Sequence, residues 1–477
     1  MIRKGLAGGS YKPLSENDIA QVHDASMRVF EEVGFQINSE KAFAFFRDAG
    51  AEVDGHIVRL SRGTVMELVA GATSEITLYG RHPEHHITLG GARVYAGTGG
   101  TALHVIDMQS GERRRATLHD LKQIAKLVDS LENIHFFLLP TYPLDVPVEN
   151  VDVNRFFAGL DNTSKHIMGG VYTLEGIQKV IRMAEVIAGS AEKLRQEPFI
   201  SMIICAISPL KMDRDYGDMI VAIAEGGIPI VVPAEPLCGA TSPVTLAGNL
   251  VIQNVDSLIG VCLTQLVNAG TPVIYGSVAS STDLRDLKYI TGAIEMGLLN
   301  AAGAQLAQFY RLPFYATAGM SDAKIIDAQC GYESALSSLL CALAGANFIH
   351  DAAGLLDFAL SVSYEKYVTD NEILGMVMRA VEGIKVDEDT LAFDLIKEVG
   401  PGGHFVSAKH TRKYMRTEHY QPTLSERDNL EEWQAKGKKD TSARARERVE
   451  EILSAPGYRL PDGVRQRILE EIPGITD

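Results

Sequence analysis

One apolar run in the second half of the chain ends in a charged pair, His350 and Asp351 in FIHDAAG. A strand that delivers His and Asp together to the end of a sheet places them where chemistry is commonly done, although a core histidine satisfied by its neighbours has the same local look. Other runs end on Tyr142, Tyr172, Glu235 and Met320, and Tyr275 lies inside another. The set is rich in aromatics and acids and poor in Lys and Arg. Tyrosine faces attract a quaternary ammonium ion by ~0.5–2 kcal/mol per ring, and a carboxylate adds Coulomb attraction. The chemistry these residues suggest is the holding of an organic cation. Each also has a plain reading: strand-end tyrosines pack with a wet hydroxyl, and Glu235 or Asp351 could cap the next helix.

Other chemistries lack their residues. HPEHH at His82 gathers three histidines and Glu84 in a turn, and reads as a solvated loop before a metal site. Cys205, Cys238, Cys262, Cys330 and Cys341 are scattered among small and apolar neighbours with no C-x-x-C pair, which fits core packing. No G-x-S-x-G elbow, H-E-x-x-H helix, dinucleotide fingerprint or Walker loop is present, and GTGG at Gly97 reads as a turn. No covalent nucleophile and no metal are expected.

These residues need a scaffold. From about residue 115 the chain alternates short strands, apolar on both faces, with helices, a rhythm that suits a parallel sheet covered by helices. Seven strands begin at Ile134, Lys165, Pro198, Pro229, Pro272, Pro313 and Asn347. With one more strand left unplaced, the expectation is an α/β fold, a (β/α)8 TIM barrel, with an open doubly wound sheet as the alternative. Active residues of such a barrel lie at the C-terminal ends of its strands. Residues 1–115, with amphipathic helices between Glu16 and Gly71 and then the runs EITLYG, HITLG and ARVYAG, are expected to form an α+β cap with a small sheet. Residues 116–408 would be the barrel, and 409–477 a charged helical tail holding the single tryptophan, Trp433.

The formal charge of -16 opposes nucleic-acid binding and is compatible with a cationic ligand. The first residues carry two basic side chains but no apolar run behind them, so no signal peptide or membrane anchor is expected and the location is expected to be cytoplasmic.

Gly239 to Arg285, GATSPVTLAGNLVIQNVDSLIGVCLTQLVNAG and onward, strongly resembles the trimethylamine methyltransferase-like family. The likeness resumes at GMSDAKIIDAQCGYESALSSLLCALAGANFIHDAAG and is looser through EEVGFQI, FRDAGAEV, LYGR and GTGGTALHVIDMQSGERRRATLHD, so that it spans about residues 20 to 400. The resemblance implies a TIM barrel that presents a methylated amine to the cobalt of a separate corrinoid protein. Cobalamin then belongs to that partner and is not tightly bound here. Trimethylamine-specific members carry pyrrolysine in the pocket. This chain has only standard residues, so it resembles the non-pyrrolysine branch, some of whose members demethylate quaternary amines such as glycine betaine. Family enzymes are mostly oligomers, and a homo-oligomer is expected.

The expected function is therefore methyl transfer from a quaternary amine, glycine betaine first, to Co(I), releasing dimethylglycine. Proline betaine, carnitine or γ-butyrobetaine as donor, or a cytosolic betaine-binding protein without activity, are the alternatives. A betaine carboxylate needs donors, for which His350 and His104 are candidates. Tyr95, Tyr142, Tyr172 and Tyr275 are expected as cage or hydrogen-bonding groups, with Glu235 and Asp351 as acids.

Overall fold

The strand left unplaced by sequence is ARVYAG. In the computed structural model, which describes residues 5–476, Arg93–Thr98 pairs in parallel with Phe136–Leu138 on one side and with Phe348–Ala353 on the other, and the second pairing closes the sheet. In chain order the barrel strands are β1 (Arg93–Thr98), β2 (Phe136–Leu138), β3 (His166–Gly170), β4 (Ile200–Ile203), β5 (Ile230–Ala234), β6 (Val273–Ser277), β7 (Phe314–Thr317) and β8 (Phe348–Ala353). Each is followed by a helix: α1 (Leu118–Asp129), α2 (Val151–Asn162), α3 (Leu174–Ala188), α4 (Arg214–Gly226), α5 (Leu246–Val267), α6 (Ile294–Tyr310), α7 (Ala328–Ala344) and α8 (Tyr364–Glu382). The fold is a (β/α)8 barrel. Its first strand lies within the residues that sequence assigned to the cap, because locally ARVYAG looks like the two runs before it. Those two, Ile76–Leu78 and Ile87–Leu89, pair with each other as a hairpin.

Alternation along the strands fills the barrel. Tyr95, Phe136, Leu138, Met168, Val231, Ile274, Tyr315 and Phe348 pack together as one buried cluster, with the Phe136 and Phe348 rings stacked at 3.6 Å. Their neighbours Phe137, Ile167, Val232, Tyr275, Phe314 and Ile349 join the layer between strands and helices. Burying each such large side chain stabilises the fold by ~1.5–3 kcal/mol. The hairpin contributes Ile76, Leu78, Ile87 and Leu89 to the inner cluster, and its Thr88 N–H reaches the Tyr95 hydroxyl. It plugs the end from which β1 starts and leaves the opposite end for a site.

The N-terminal helix Glu16–Arg28 opens on a Ser15/Asp18 capping box and packs on α5. α5 is the one helix among the described residues long and apolar enough to cross a membrane, and 78% of its apolar window is buried inside the protein, as in a core helix. The C-terminal tail wraps the barrel. Helices Thr441–Ser454 and Asp462–Glu471 pack on α8, α1 and α3 through buried Val449, Ile452 and Ile468. Asp161 of α2 fastens the tail by accepting from Arg459 at 3.1 Å and from the Leu460 N–H at 3.3 Å.

Candidate active site

The last strand breaks its own pattern where the site begins. Its pairing with β1 shifts register between Ile349 and Ala353, and Asp351 takes a φ of +60°, a left-handed conformation uncommon outside Gly and found there mostly for Asn and Asp. Gly99 makes the conformation possible: a Cβ there would lie 2.1 Å from Asp351 Oδ1. The result brings consecutive side chains together, with His350 Nε2 2.8 Å from Asp351 Oδ2. His350 Nδ1 donates to the Ala316 carbonyl at 2.8 Å, and the Tyr315 ring stacks on the imidazole at 3.9 Å.

Around this pair the ends of the strands enclose a cavity of about 390 Å³. Tyr172 follows β3, Cys205 follows β4, Asp215 and Tyr216 open α4, Glu235 follows β5, and Met320 follows β7. The β6 connection folds into a hairpin, Ser280–Asp283 with Lys288–Ile290, that carries Tyr289 to the same cavity. Among the described residues four tyrosines and three carboxylates line it, and no Lys or Arg does.

Burial, with Asp351 nearby, pushes the Glu235 carboxyl up to about 7. Burial and the same acids hold the Tyr289 and Tyr315 phenols well above their ordinary values. The Cys205 thiol is also raised, first by burial and then by Glu235 and Asp256, which leaves it a poor nucleophile at neutral pH. Two oxygens of lining residues, Tyr289 OH and Asp351 Oδ1, are buried and have no hydrogen-bond partner among the described residues. The acids and aromatic faces suit a small organic cation, whose charge would offset the cost of keeping these acids together.

Of the residues chosen from sequence, the structure gathers Tyr172, Glu235, His350, Asp351 and Met320 into one cavity. Tyr142 lies outside the lining and packs edge-on against Tyr172 at 5.5 Å. Tyr95 faces the plugged end, where its hydroxyl accepts from the Gly5 N–H at 2.9 Å. Tyr275 follows inward-facing Ile274 and so faces outward, its hydroxyl donating to Asn254 Oδ1 of α5 at 3.0 Å. His104 sits on a small sheet built from the first and last βα connections, its Nδ1 3.4 Å from the Leu360 carbonyl.

Sequence reasoning missed Tyr216, Tyr289, Tyr315, Asp215 and Cys205. Tyr315 was findable, because strict alternation from Phe314 and Ala316 puts it inside. Tyr289 was not, since a hairpin within a βα connection leaves no periodic trace.

The support behind the site is polar and buried. Lys366 of α8 donates to Asp370 at 2.7 Å and to Ser334 Oγ at 2.9 Å, while Asp370 accepts from the Gly354 N–H at 2.7 Å, just past β8. Behind Tyr172, Arg155 directs its guanidinium to the carbonyls of Leu139, Thr141 and Gly170.

Fold and site together define a TIM-barrel protein with an acidic, aromatic pocket at the barrel mouth. The model of the trimethylamine methyltransferase (MTTB) family matches residues 4–471, and the chain belongs to that family of methyltransferases. It is 36% identical over 445 residues to glycine betaine methyltransferase of Desulfitobacterium hafniense strain Y51, covering 93% of this chain and 92% of that one. It is 37% identical over 475 residues to trimethylamine methyltransferase MttB of Desulfitobacterium hafniense strain DSM 10664 / DCB-2, covering 99% and 94%. Among solved structures it is similar to the monomethylamine methyltransferase of Methanosarcina barkeri at 11% identity and a TM-score of 0.46, covering 96% and 94%.

Proposed function

We propose that this chain transfers a methyl group from a quaternary amine to the Co(I) of a corrinoid protein docked over the barrel mouth. The observation that carries the reading is the cavity itself, lined among the described residues by four tyrosines, three carboxylates and no Lys or Arg, at the end where barrel enzymes act. A quaternary nitrogen is already an activated leaving group. The methyl carbon takes an electron pair from Co(I), the pair of the broken C–N bond stays on nitrogen, and a neutral tertiary amine leaves. The protein supplies no nucleophile. Its residues hold the ammonium, exclude water and aim one methyl outward, and positioning of this type lowers a barrier by several kcal/mol. Because the charge on nitrogen vanishes in the transition state, acids that grip the cation too tightly would slow the step.

A partner has a surface to meet. The connections after β1, β2, β4, β5, β6 and β8 each expose a large apolar side chain at the mouth: Leu103, Leu144, Ile207, Val244, Leu287 and Leu360. Cobalamin belongs to that partner in this reading. Glycine betaine, the donor in the name of one relative, is a member of the donor class and would leave dimethylglycine. The test is methyl transfer from a panel of quaternary amines to a reduced corrinoid protein, followed by absorbance; silence with every donor overturns the reading.

A further inference from the structure

We propose that residues 384–417 form an arm by which this chain packs against a second copy of itself. The arm leaves the barrel at the end of α8 and returns to the same place. Arg379 of α8 pins both ends, donating through Nη1 to the Gly383 carbonyl at 2.6 Å and through Nη2 to the Glu418 carbonyl at 2.9 Å. Beyond that base the backbone N–H groups of Thr423 and Ser425 rejoin α8 by donating to Glu372. Between the pins the chain makes three short helices, Glu388–Leu391, Phe393–Val399 and Lys409–Tyr414, and none of residues 384–417 is buried. Helices this short do not hold themselves together in water. The ties within the arm are exposed and polar, Lys413 and Tyr414 to Asp389 and Lys385 to Asp387, and exposed pairs contribute little. The arm needs a cover.

Size, position and charge identify that cover. Ile384, Val386, Leu391, Phe393, Ile396 and Val406 are each more than half exposed, and together they uncover about the 800 Å² that each side of a standard stable interface buries. A monomer rarely leaves that much apolar surface on one feature. α8 runs away from the mouth, and its last turns reach the plugged end, where Met378 lines a hollow with Val94 at the start of β1 and Asn133 just before β2. A protein that meets the cavity therefore leaves the arm bare. The chain carries a formal charge of -16, so two copies repel over much of their surface. The arm departs from this balance, with six Lys and Arg against five Asp and Glu in residues 384–417, and an acidic copy can approach it without that repulsion. Association there keeps each mouth open.

Sedimentation velocity of the full chain over about 1–100 μM tests this without substrate or corrinoid partner. The unaltered chain is expected to sediment as a dimer or a larger assembly. Phe393→Asp/Val406→Asp is expected to raise the dissociation constant about 100-fold or more, because two apolar side chains of each arm lose their burial. Both positions are exposed within one chain, so the variant is expected to keep its fold, which near-ultraviolet circular dichroism checks. Hydrogen exchange of the unaltered chain gives a second reading that needs no variant. Amides of residues 384–417 are expected to be protected in the assembly and to lose that protection as dilution releases the monomer. A chain that stays monomeric over the whole range overturns the inference. So does an assembly that the variant leaves as tight, or one in which the arm exchanges freely, since another face then makes the contact.

Discussion

His350 Nε2 lies 2.8 Å from Oδ2 of the next residue, Asp351. Consecutive residues of a regular strand point to opposite faces and cannot make such a contact. The register shift in β8 and the left-handed Asp351 backbone are what allow it, opposite a glycine at position 99. Strain of this type costs ~1–3 kcal/mol and persists where the surroundings hold it in place. His350→Ala removes that hold. The expected outcome is a loss of about 10- to 100-fold in kcat/KM for methyl transfer, the scale of one charge-assisted hydrogen bond. Unchanged affinity and turnover would take His350 out of the site.

Tyr315 offers its ring to the cavity and stacks on His350. Tyr315→Leu is expected to weaken quaternary-ammonium binding about 2- to 30-fold, the range of one cation–π contact, while Tyr315→Phe loses much less. Equal losses in both variants, measured by titration, would assign the effect to the hydroxyl instead.

Glu235 titrates near 7 in the fold against an ordinary value of 4.5. A carboxyl raised in this way contributes to stability below 4.5, and that contribution is lost as pH rises through about 7. Cation binding runs the other way, because the ammonium favours the carboxylate and displaces its proton. A saturating quaternary cation should therefore raise the melting temperature more at about pH 8 than at about pH 6. His350, Asp351 and Cys205 line the same cavity, so the assignment to Glu235 requires that Glu235→Gln flatten the difference. A slope that survives in that variant belongs to another group.

Lys366 and Asp370 are fully buried, and each satisfies the other. Lys366→Met leaves a buried carboxylate without its charge partner and is expected to cost ~3–5 kcal/mol in chemical denaturation. The double variant Lys366→Met/Asp370→Leu should recover much of that stability, because the uncompensated charge goes with the aspartate. A double variant as unstable as the single one would mean that the pair's contacts with Ser334 and Gly354 matter more than its charge.

Seven barrel strands were legible as apolar runs, because a strand covered on both faces must be apolar along its length. The eighth, Arg93–Thr98, was missed because it lies beyond a true hairpin of like composition, and closure of a sheet is a long-range fact. Within the site, residues at or past strand ends were legible in Tyr172, Glu235, His350, Asp351 and Met320. Tyr275 and Tyr95 show where that rule runs out. The first faces outward by alternation, and the second stands at the strand's beginning, against the plug. Tyr289 and Tyr216 come from the connections, whose course depends on packing that no local pattern encodes.

The most direct test of the central claim mixes the purified chain, a Co(I) corrinoid protein and one quaternary amine at a time, choline, tetramethylammonium and glycine betaine included, and follows the absorbance of cobalt. Conversion to methyl-Co(III) with release of one tertiary amine per methyl transferred is the expected result, abolished when the cavity is altered at both Glu235 and His350. No conversion with any quaternary amine, in the presence of a corrinoid protein shown to accept methyl groups from another methyltransferase, would contradict it.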